Sequence, residues 1–246
     1  MEGEFLLEGI KVTKHFGGLK VLNNIDFYVD NKEIVGIIGP NGAGKTTLFN
    51  VICGFYRPDS GKIIFEGKDI TKLKPYEICR LGIARTFQIV RPFLRMTVLE
   101  NVQVGMVYCR KRNINLAGAK REASYWLEFV GLYEKRDVAA NQLTHTERRK
   151  LELARALASE PKLILLDEIA AGLNPSELME MAKKVEIIWR DYGIAVLWIE
   201  HVMKAIMSVC HRIIVLHQGL KIAEGPPSTI VKDKKVIEAY LGETYA

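Results

Sequence analysis

No apolar run in the chain approaches the roughly 18–20 residues that a helix needs to cross a bilayer. The runs present are short, such as Ile34–Ile38 and Leu163–Leu166. The first residues, Met1-Glu2-Gly3-Glu4, are acidic and lack the basic-then-apolar pattern of an export signal. The expectation is a chain on the cytoplasmic side that reaches a membrane only through a partner. Cysteine is scarce: Cys53, Cys79, Cys109 and Cys210 lie far apart in sequence and form no C-x-x-C pair. None of the five histidines sits in an H-E-x-x-H pattern. With no zinc-ligand spacing either, reduced, mostly buried thiols are expected. Neither sign of charge dominates: 35 Lys and Arg stand against 29 Asp and Glu, a net charge of +6. That excess suits an anionic ligand, a membrane surface or nucleic acid and selects none of them. Internal repeats and low-complexity stretches are also lacking.

What is there fits a folded globular chain. Hydrophobic residues make up 48% and charged residues 26% of 246 positions, enough for one domain with a small appended lobe. Ile25, Phe27 and Val29 alternate with polar positions, and Ile63-Ile64-Phe65 lies between glycines, so both read as strands. Ile34–Ile38, Leu163–Leu166, Ala195–Ile199 and Ile213–Leu216 read as buried strands, the last followed by a Gln218-Gly219 turn and a return strand over Leu220–Ala223. Asn174-Pro175-Ser176-Glu177 starts a helix: a cap, a first-turn proline, and a glutamate placed to close a capping box. Leu178, Met181, Val185, Ile188, Trp189 and Tyr192 then recur at helical spacing until Gly193. Thr97 with Glu100 forms a second capping box. Residues 88–158 carry helical patterns without the β-branched strands on either side. Alternating buried strands and helices predict an α/β fold with a mainly parallel sheet, helices on both faces, and an inserted helical lobe.

Gly39-Pro40-Asn41-Gly42-Ala43-Gly44-Lys45-Thr46 matches G-x-x-x-x-G-K-[ST]. A chance match in a chain of this length is about a one-in-a-hundred event by composition. The context adds weight, because the motif follows the Ile34–Ile38 strand and precedes the helical run Thr47–Ile52. Glycines let the backbone wrap around phosphate with successive N–H groups pointing inward, and the helix N-terminus adds its positive dipole end. Lys45 supplies a point charge for the β- and γ-phosphates and Thr46 a hydroxyl for Mg²⁺. The candidate nucleotide contacts are thus Asn41, Gly42, Gly44, Lys45, Thr46 and Thr47. The Leu163–Leu166 strand ends in Asp167-Glu168. Asp167 is placed to hold Mg²⁺ through water, and Glu168 to polarise an attacking water as general base.

With these residues in hand, the chain resembles the ATP-binding cassette (ABC) transporter ATPases over essentially its whole length. It is most similar to the cassettes of branched-chain amino acid importers. Ala84-Arg85-Thr86-Phe87-Gln88, Met96–Asn101, Ala170–Pro175, Ile199-Glu200-His201 and Tyr240–Glu243 carry that similarity. The resemblance implies a P-loop NTPase core with an N-terminal antiparallel β subdomain and an inserted helical subdomain. It implies one nucleotide-binding domain over residues 1–246, with 1–87 and 159–246 as core and β subdomain and 88–158 as the helical part. By position, Phe16 resembles the aromatic that stacks on adenine; the alternative is a core phenylalanine on the first strand. Gln88 resembles the glutamine that contacts Mg²⁺ and the water. His201 resembles the switch histidine at the γ-phosphate; the alternative is a helix cap.

Two segments depart from the family pattern. Where Leu-Ser-Gly-Gly-Gln is expected, the chain reads Leu143-Thr144-His145-Thr146-Glu147. In the family this segment opens a helix that meets the γ-phosphate bound by the opposite subunit. Thr144 keeps a hydroxyl, helix-end N–H groups remain, and Thr144-x-x-Glu147 reads as a capping box, but both glycines are lost. Asn174 replaces the usual aspartate of the loop after the acidic pair and fits a helix cap as well as an interface role.

The implied function is ATP hydrolysis with Mg²⁺ by a peripheral importer subunit for branched-chain or other hydrophobic amino acids. The implied partners are a second cassette, identical or paralogous, two membrane-spanning permease subunits and an extracytoplasmic solute-binding protein. No nucleic acid is expected, because no recognition helix or aromatic-studded basic sheet is present. Three other readings stand beside this one: a non-hydrolysing, nucleotide-sensing partner, a soluble ABC-type ATPase, and a P-loop kinase. Arg110–Arg112, Lys120-Arg121 and Lys232, Lys234 and Lys235 read as solvated surface, with contact to lipid headgroups or a membrane subunit as the alternative.

Overall fold

A computed structural model describes residues 5–109, 115–170 and 172–241. Arg110–Arg112, Ala171 and Gly242-Glu243, named above, lie outside the described residues. The chain falls into two compact units, Met1–Ile78 with Ala170–Ala246, and Cys79–Ile169.

The first unit holds two sheets. Strands β1 (Leu7–Phe16) and β2 (Leu19–Val29) pair antiparallel, with Leu7 opposite Val29 and Phe16 opposite Leu19. Strand β3 (Ile34–Ile38) is buried at all five positions, as its unbroken apolar run requires, and helix α1 (Lys45–Ile52) follows it. Strands β4 (Ser60–Phe65) and β5 (Lys68–Asp69) complete the antiparallel sheet in the order β2-β1-β4-β5. Helix α2 (Pro75–Leu81) contains the boundary between the units, which falls after Ile78.

The second unit begins near strand β6 (Ile83–Arg85) and continues through helices α3 (Val98–Cys109), α4 (Leu116–Val130) and α5 (His145–Leu157) to strand β7 (Leu163–Asp167). β6 and β7 pair in parallel, with Ile83 beside Leu163 and Arg85 beside Leu165. The composition boundaries at 88 and 158 follow residue patterning. The compact unit follows packing and groups both of these strands with the helices between them.

The chain then returns to the first unit. Helix α6 (Pro175–Tyr192) is capped by Asn174 and stopped by Gly193 at φ 66°, as its sequence predicts. Strand β8 (Ala195–Ile199) pairs in parallel with β3, and helix α7 (Met203–Val209) leads to β9 (Arg212–His217), which flanks β3 on its other side. Strand β10 (Leu220–Gly225) returns antiparallel through the Gln218-Gly219 turn. Short α8 (Pro227–Ile230) and α9 (Lys234–Leu241) close the described chain. β3 and β8 bring only buried side chains to the centre of this sheet, so strand ends and loops are where polar chemistry can sit.

Two cysteines behave as expected and two do not. Cys53 and Cys210 are buried, whereas Cys79 and Cys109 are half-buried, with sulfurs 2.6 Å apart.

Candidate nucleotide site

The loop between β3 and α1 is built from backbone. Gly39, Gly42 and Gly44 have φ of 148°, 77° and 102°, values that side chains with a Cβ rarely adopt. Space enforces glycine too: a Cβ on Gly39 would lie 2.0 Å from the Leu216 carbonyl oxygen, and one on Gly44 2.7 Å from that of Val21. The Gly219 N–H donates to the Ala43 carbonyl at 3.2 Å, so the turn after β9 braces the loop. Lys45 is buried, and its Nζ donates to the carbonyls of Gly39 at 2.7 Å and Pro40 at 2.9 Å. The ammonium is thereby folded over its own loop instead of reaching into solvent.

Gly44 caps α1 with no side-chain hydrogen bond, and the first turn contains no acid. The first amides of a helix have no partner within it. Here they meet a buried cation and the positive end of the helix, an arrangement suited to an anion. Asn41 and Gly42 are exposed on the crest of the loop, while Thr46 and Thr47 are half-buried in the first helical turn.

Three further residues singled out from the sequence, Phe16, Asn174 and His201, belong to this unit. Beyond the end of β8, the His201 N–H donates to Glu200 Oε2 at 3.0 Å. Glu200 is buried, and its Oε1 accepts the Ala170 N–H at 2.8 Å. His201 is exposed and is not a helix cap, because Val202 holds that position before α7. Phe16 is exposed rather than in the core; its ring meets Tyr56 edge-on at 5.1 Å, with the Lys14 ammonium 5.5 Å away. Asn174 is a helix cap: its Oδ1 accepts from Ser176 N and Glu177 N, each at 3.0 Å, and Glu177 closes the box at 2.9 Å.

In the second unit the polar groups at the ends of β6 and β7 are linked through side chains. Gln88 Nε2 donates to Glu168 Oε2 at 2.7 Å, so two predicted catalytic residues meet. Glu168 has φ 50°, a left-handed backbone that costs a residue with a Cβ about 1–2 kcal/mol. Such a conformation at the end of a buried strand commonly marks a functional position. Asp167 is buried and pairs with Arg85, Nη2 to Oδ2 at 2.7 Å. The Asp167 N–H donates to the Thr86 hydroxyl at 3.1 Å, and the Thr86 N–H to the Leu165 carbonyl at 2.9 Å. Parallel pairing of β6 with β7 carries Arg85 and Thr86 to the acidic strand end. Sequence reasoning assigned neither a role; the signal was their position two and three residues before Gln88.

The Thr144–Glu147 segment forms a complete capping box on α5. Thr144 Oγ1 accepts the Glu147 N–H at 3.3 Å, and Glu147 Oε2 accepts the Thr144 N–H at 3.0 Å. Lys135 Nζ lies 2.6 Å from Glu147 Oε1. This ion pair, followed by the Thr144 amide, holds the Glu147 carboxyl below its usual range. His145 and Thr146 occupy the first two helical positions.

Among the described residues, no group of three or more His, Cys, Asp or Glu side chains is suited to hold a metal ion. A Mg²⁺ ion needs no such cage, since it is commonly held by one carboxylate, a hydroxyl, waters and phosphate oxygens. Among the described residues, no helix is long and apolar enough to cross a membrane.

Residues 22–171 match the ABC transporter family, and residues 221–246 match the branched-chain amino acid ATP-binding cassette transporter family. The chain is 41% identical to the high-affinity branched-chain amino acid transport ATP-binding protein BraF of Pseudomonas aeruginosa, over 97% of this chain and 98% of that one. It is 40% identical to LivG of Escherichia coli, a protein of the same description, over 93% and 94% of the two chains. Among solved structures, the ADP conformation of MJ1267, an ATP-binding cassette of an ABC transporter, superposes with a TM-score of 0.86 at 34% identity, covering 98% of this chain and 99% of that one. The chain therefore belongs to the ATP-binding cassettes of the ABC transporter family, which are ATPases.

Proposed function

We propose that this chain binds and hydrolyses ATP with Mg²⁺ as the peripheral subunit of an importer for branched-chain or other hydrophobic amino acids. The observation that carries the ATPase reading is the Gly39–Thr47 loop. Its left-handed glycines, a buried lysine tied to the loop's own carbonyls, and a helix start free of acids together suit a triphosphate. The solute class rests on the names of the relatives and on the family match over residues 221–246.

In this reading the amides from Asn41 to Thr47 and the Lys45 ammonium hold the phosphates, and Phe16 offers an exposed ring to the adenine. Thr46, Asp167 and Gln88 would hold Mg²⁺, whose charge would neutralise that developing on the phosphate oxygens. Glu168 accepts a proton from the attacking water, with Gln88 orienting its carboxylate, and His201 donates to the γ-phosphate. Most of the protein's contribution is positioning and electrostatics. A second cassette, identical or paralogous, presents its Thr144–Glu147 segment to this nucleotide, with Asn174 at the interface. Two membrane-spanning subunits hold the pair at the cytoplasmic face, and an external binding protein delivers solute.

The test is Glu168→Gln. Nucleotide binding should persist, while turnover falls by about 10²–10⁴-fold, the usual worth of general-base assistance. Turnover within a few-fold of the parent would move the base to another residue. One specific observation favours a second reading, that of a weakly hydrolysing partner in a mixed pair: α5 begins with a closed, negatively charged capping box. Turnover measured alone and with a paralogous cassette separates the two.

A further inference from the structure

Thirty residues separate Cys79 from Cys109, and no sequence motif links them. The fold nonetheless sets their sulfurs 2.6 Å apart, with Cys79 near the end of α2 and Cys109 the last residue of α3. A disulfide bond is about 2.05 Å long, so closure needs a shift of roughly half an ångström. Both cysteines are reduced and half-buried, which leaves them open to a small oxidant. We propose that Cys79 and Cys109 are a dithiol site that a hydroperoxide converts reversibly to a disulfide, restraining the Gln88 segment and slowing hydrolysis.

The surroundings make the site selective. The Cys79 thiol donates a hydrogen bond to Cys109, and the Arg80 and Arg155 guanidiniums add positive charge; together they lower the Cys109 pKa to about 7 against the effect of burial. A substantial share of Cys109 is therefore thiolate at neutral pH, the form that reacts. Cys53 and Cys210 are buried, and burial pushes the Cys210 thiol well above its usual value.

The chemistry balances with hydrogen peroxide as oxidant. The Cys109 thiolate attacks one peroxide oxygen, the O–O bond breaks, and a sulfenic acid and hydroxide form. The Cys79 sulfur then attacks the sulfenic sulfur, its proton leaves with the departing hydroxyl as water, and the S–S bond forms. Two electrons pass from the thiols to the peroxide, and a reducing dithiol returns them. The closed ring spans residues 79–109. It contains Gln88, whose side chain reaches Glu168, and the exposed stretch Phe87-Gln88-Ile89. The effect on turnover rests on the ATPase reading; formation of the disulfide does not.

The experiment treats the purified full chain with stoichiometric hydrogen peroxide and counts thiols under denaturing conditions. Two of the four thiols should disappear, the intact mass should fall by two hydrogens, and digestion should recover a peptide joining 79 to 109. ATP turnover should drop several-fold and return with dithiothreitol. Cys79→Ser and Cys109→Ser should each form no intramolecular bond and keep their turnover after the same treatment. Four remaining thiols, or a bond to Cys53 or Cys210, would overturn the site. A confirmed 79–109 bond with unchanged turnover would overturn its control of hydrolysis. Failure of the ATPase reading shows separately, as absent turnover in the reduced chain, and the thiol count still decides the site.

Discussion

The two units build their polar loops and strand ends by different means. In the first, the loop from Gly39 to Thr47 is main chain almost throughout: three left-handed glycines and a lysine tied to two backbone carbonyls. In the second, the polar ends of β6 and β7 are joined by side chains: Arg85 to Asp167, Gln88 to Glu168, and the Thr86 hydroxyl to a backbone amide. The contrast teaches what each half tolerates. A main-chain site fails when a Cβ or a wrong dihedral enters. A side-chain site fails when a charge loses its partner.

The largest expected effect is at Arg85. Its guanidinium and the Asp167 carboxylate are both almost fully buried, with side chains 5% and 1% exposed. Removing one member of a buried ion pair leaves the other uncompensated, typically at a cost of about 3–5 kcal/mol. Arg85→Ala should therefore lower unfolding free energy by about that amount in denaturant titrations. Replacing Arg85 and Asp167 together by apolar residues of similar volume should recover most of it. If Arg85→Ala unfolds like the parent, the second unit does not depend on its side-chain pairs and the contrast breaks.

Next is the first unit, where the sensitive feature is a missing side chain. Gly44→Ala places a Cβ 2.7 Å from the Val21 carbonyl oxygen at a φ of 102°. Backbone must move, and displacement of a positioning group by about 1 Å costs on the order of 100-fold. ATP affinity should fall by that order. Gly42→Ala is the control: φ is 77°, yet no atom lies within 4 Å of the added Cβ. It should cost only the dihedral penalty of about 1–2 kcal/mol, near tenfold. Equal losses at the two positions, measured by nucleotide titration, would show that dihedral strain rather than crowding governs the loop.

The same contrast explains what could be read in advance. The phosphate loop was legible because a backbone cradle needs glycines at fixed spacing, and that spacing survives as a motif. Buried strands β3, β7 and β8 were legible from short apolar runs, and α6 from its cap and stop. Arg85 was not, because ion pairing depends on β6 lying beside β7, and β6 has only three residues. The left-handed Glu168 was hidden as well: a glutamate does not advertise a positive φ. Phe16 and His201 were each left with a structural alternative, and exposure of the ring and the Val202 cap position set those alternatives aside. The closeness of Cys79 and Cys109 had no signal in the sequence, since it arises from the packing of separate helices.

A buried carboxyl governed mainly by desolvation sharpens the comparison further. Glu152 on α5 is 7% exposed, and desolvation raises its pKa from 4.5 to about 7. The Phe87 amide and the charges of Arg155, Arg85 and Arg149 oppose that rise without cancelling it. The folded state thus keeps a proton that the unfolded state loses above about pH 4.5. Stability falls as pH rises through the window from 4.5 to about 7 and then levels off. Glu152→Gln should remove this slope, gaining about 1–3 kcal/mol at pH 8 and little at pH 4. Parallel stability–pH curves for parent and variant would show that Glu152 stays ionised in the folded chain.

The smallest effect concerns two helix starts. Helix α1 opens with no side-chain cap and no acid, whereas α5 opens with Glu147 bound to both the Thr144 amide and Lys135. The first arrangement invites an anion and the second already supplies one. If the start of α5 faces nucleotide held by a second cassette, the Glu147 carboxylate repels it. Glu147→Gln keeps the capping box, because glutamine also accepts the Thr144 amide. It gives up an exposed ion pair worth about 0–1 kcal/mol. Stability should therefore change little, while turnover of the assembled dimer rises a few-fold, in line with about 0.3–1 kcal/mol for a charge at a helix end. The sign is the informative part. A rise places a phosphate near the start of α5 and makes the two helix starts opposite faces of one site. A fall means that the carboxylate is itself needed there, and the family's helix-end interaction has been replaced by another.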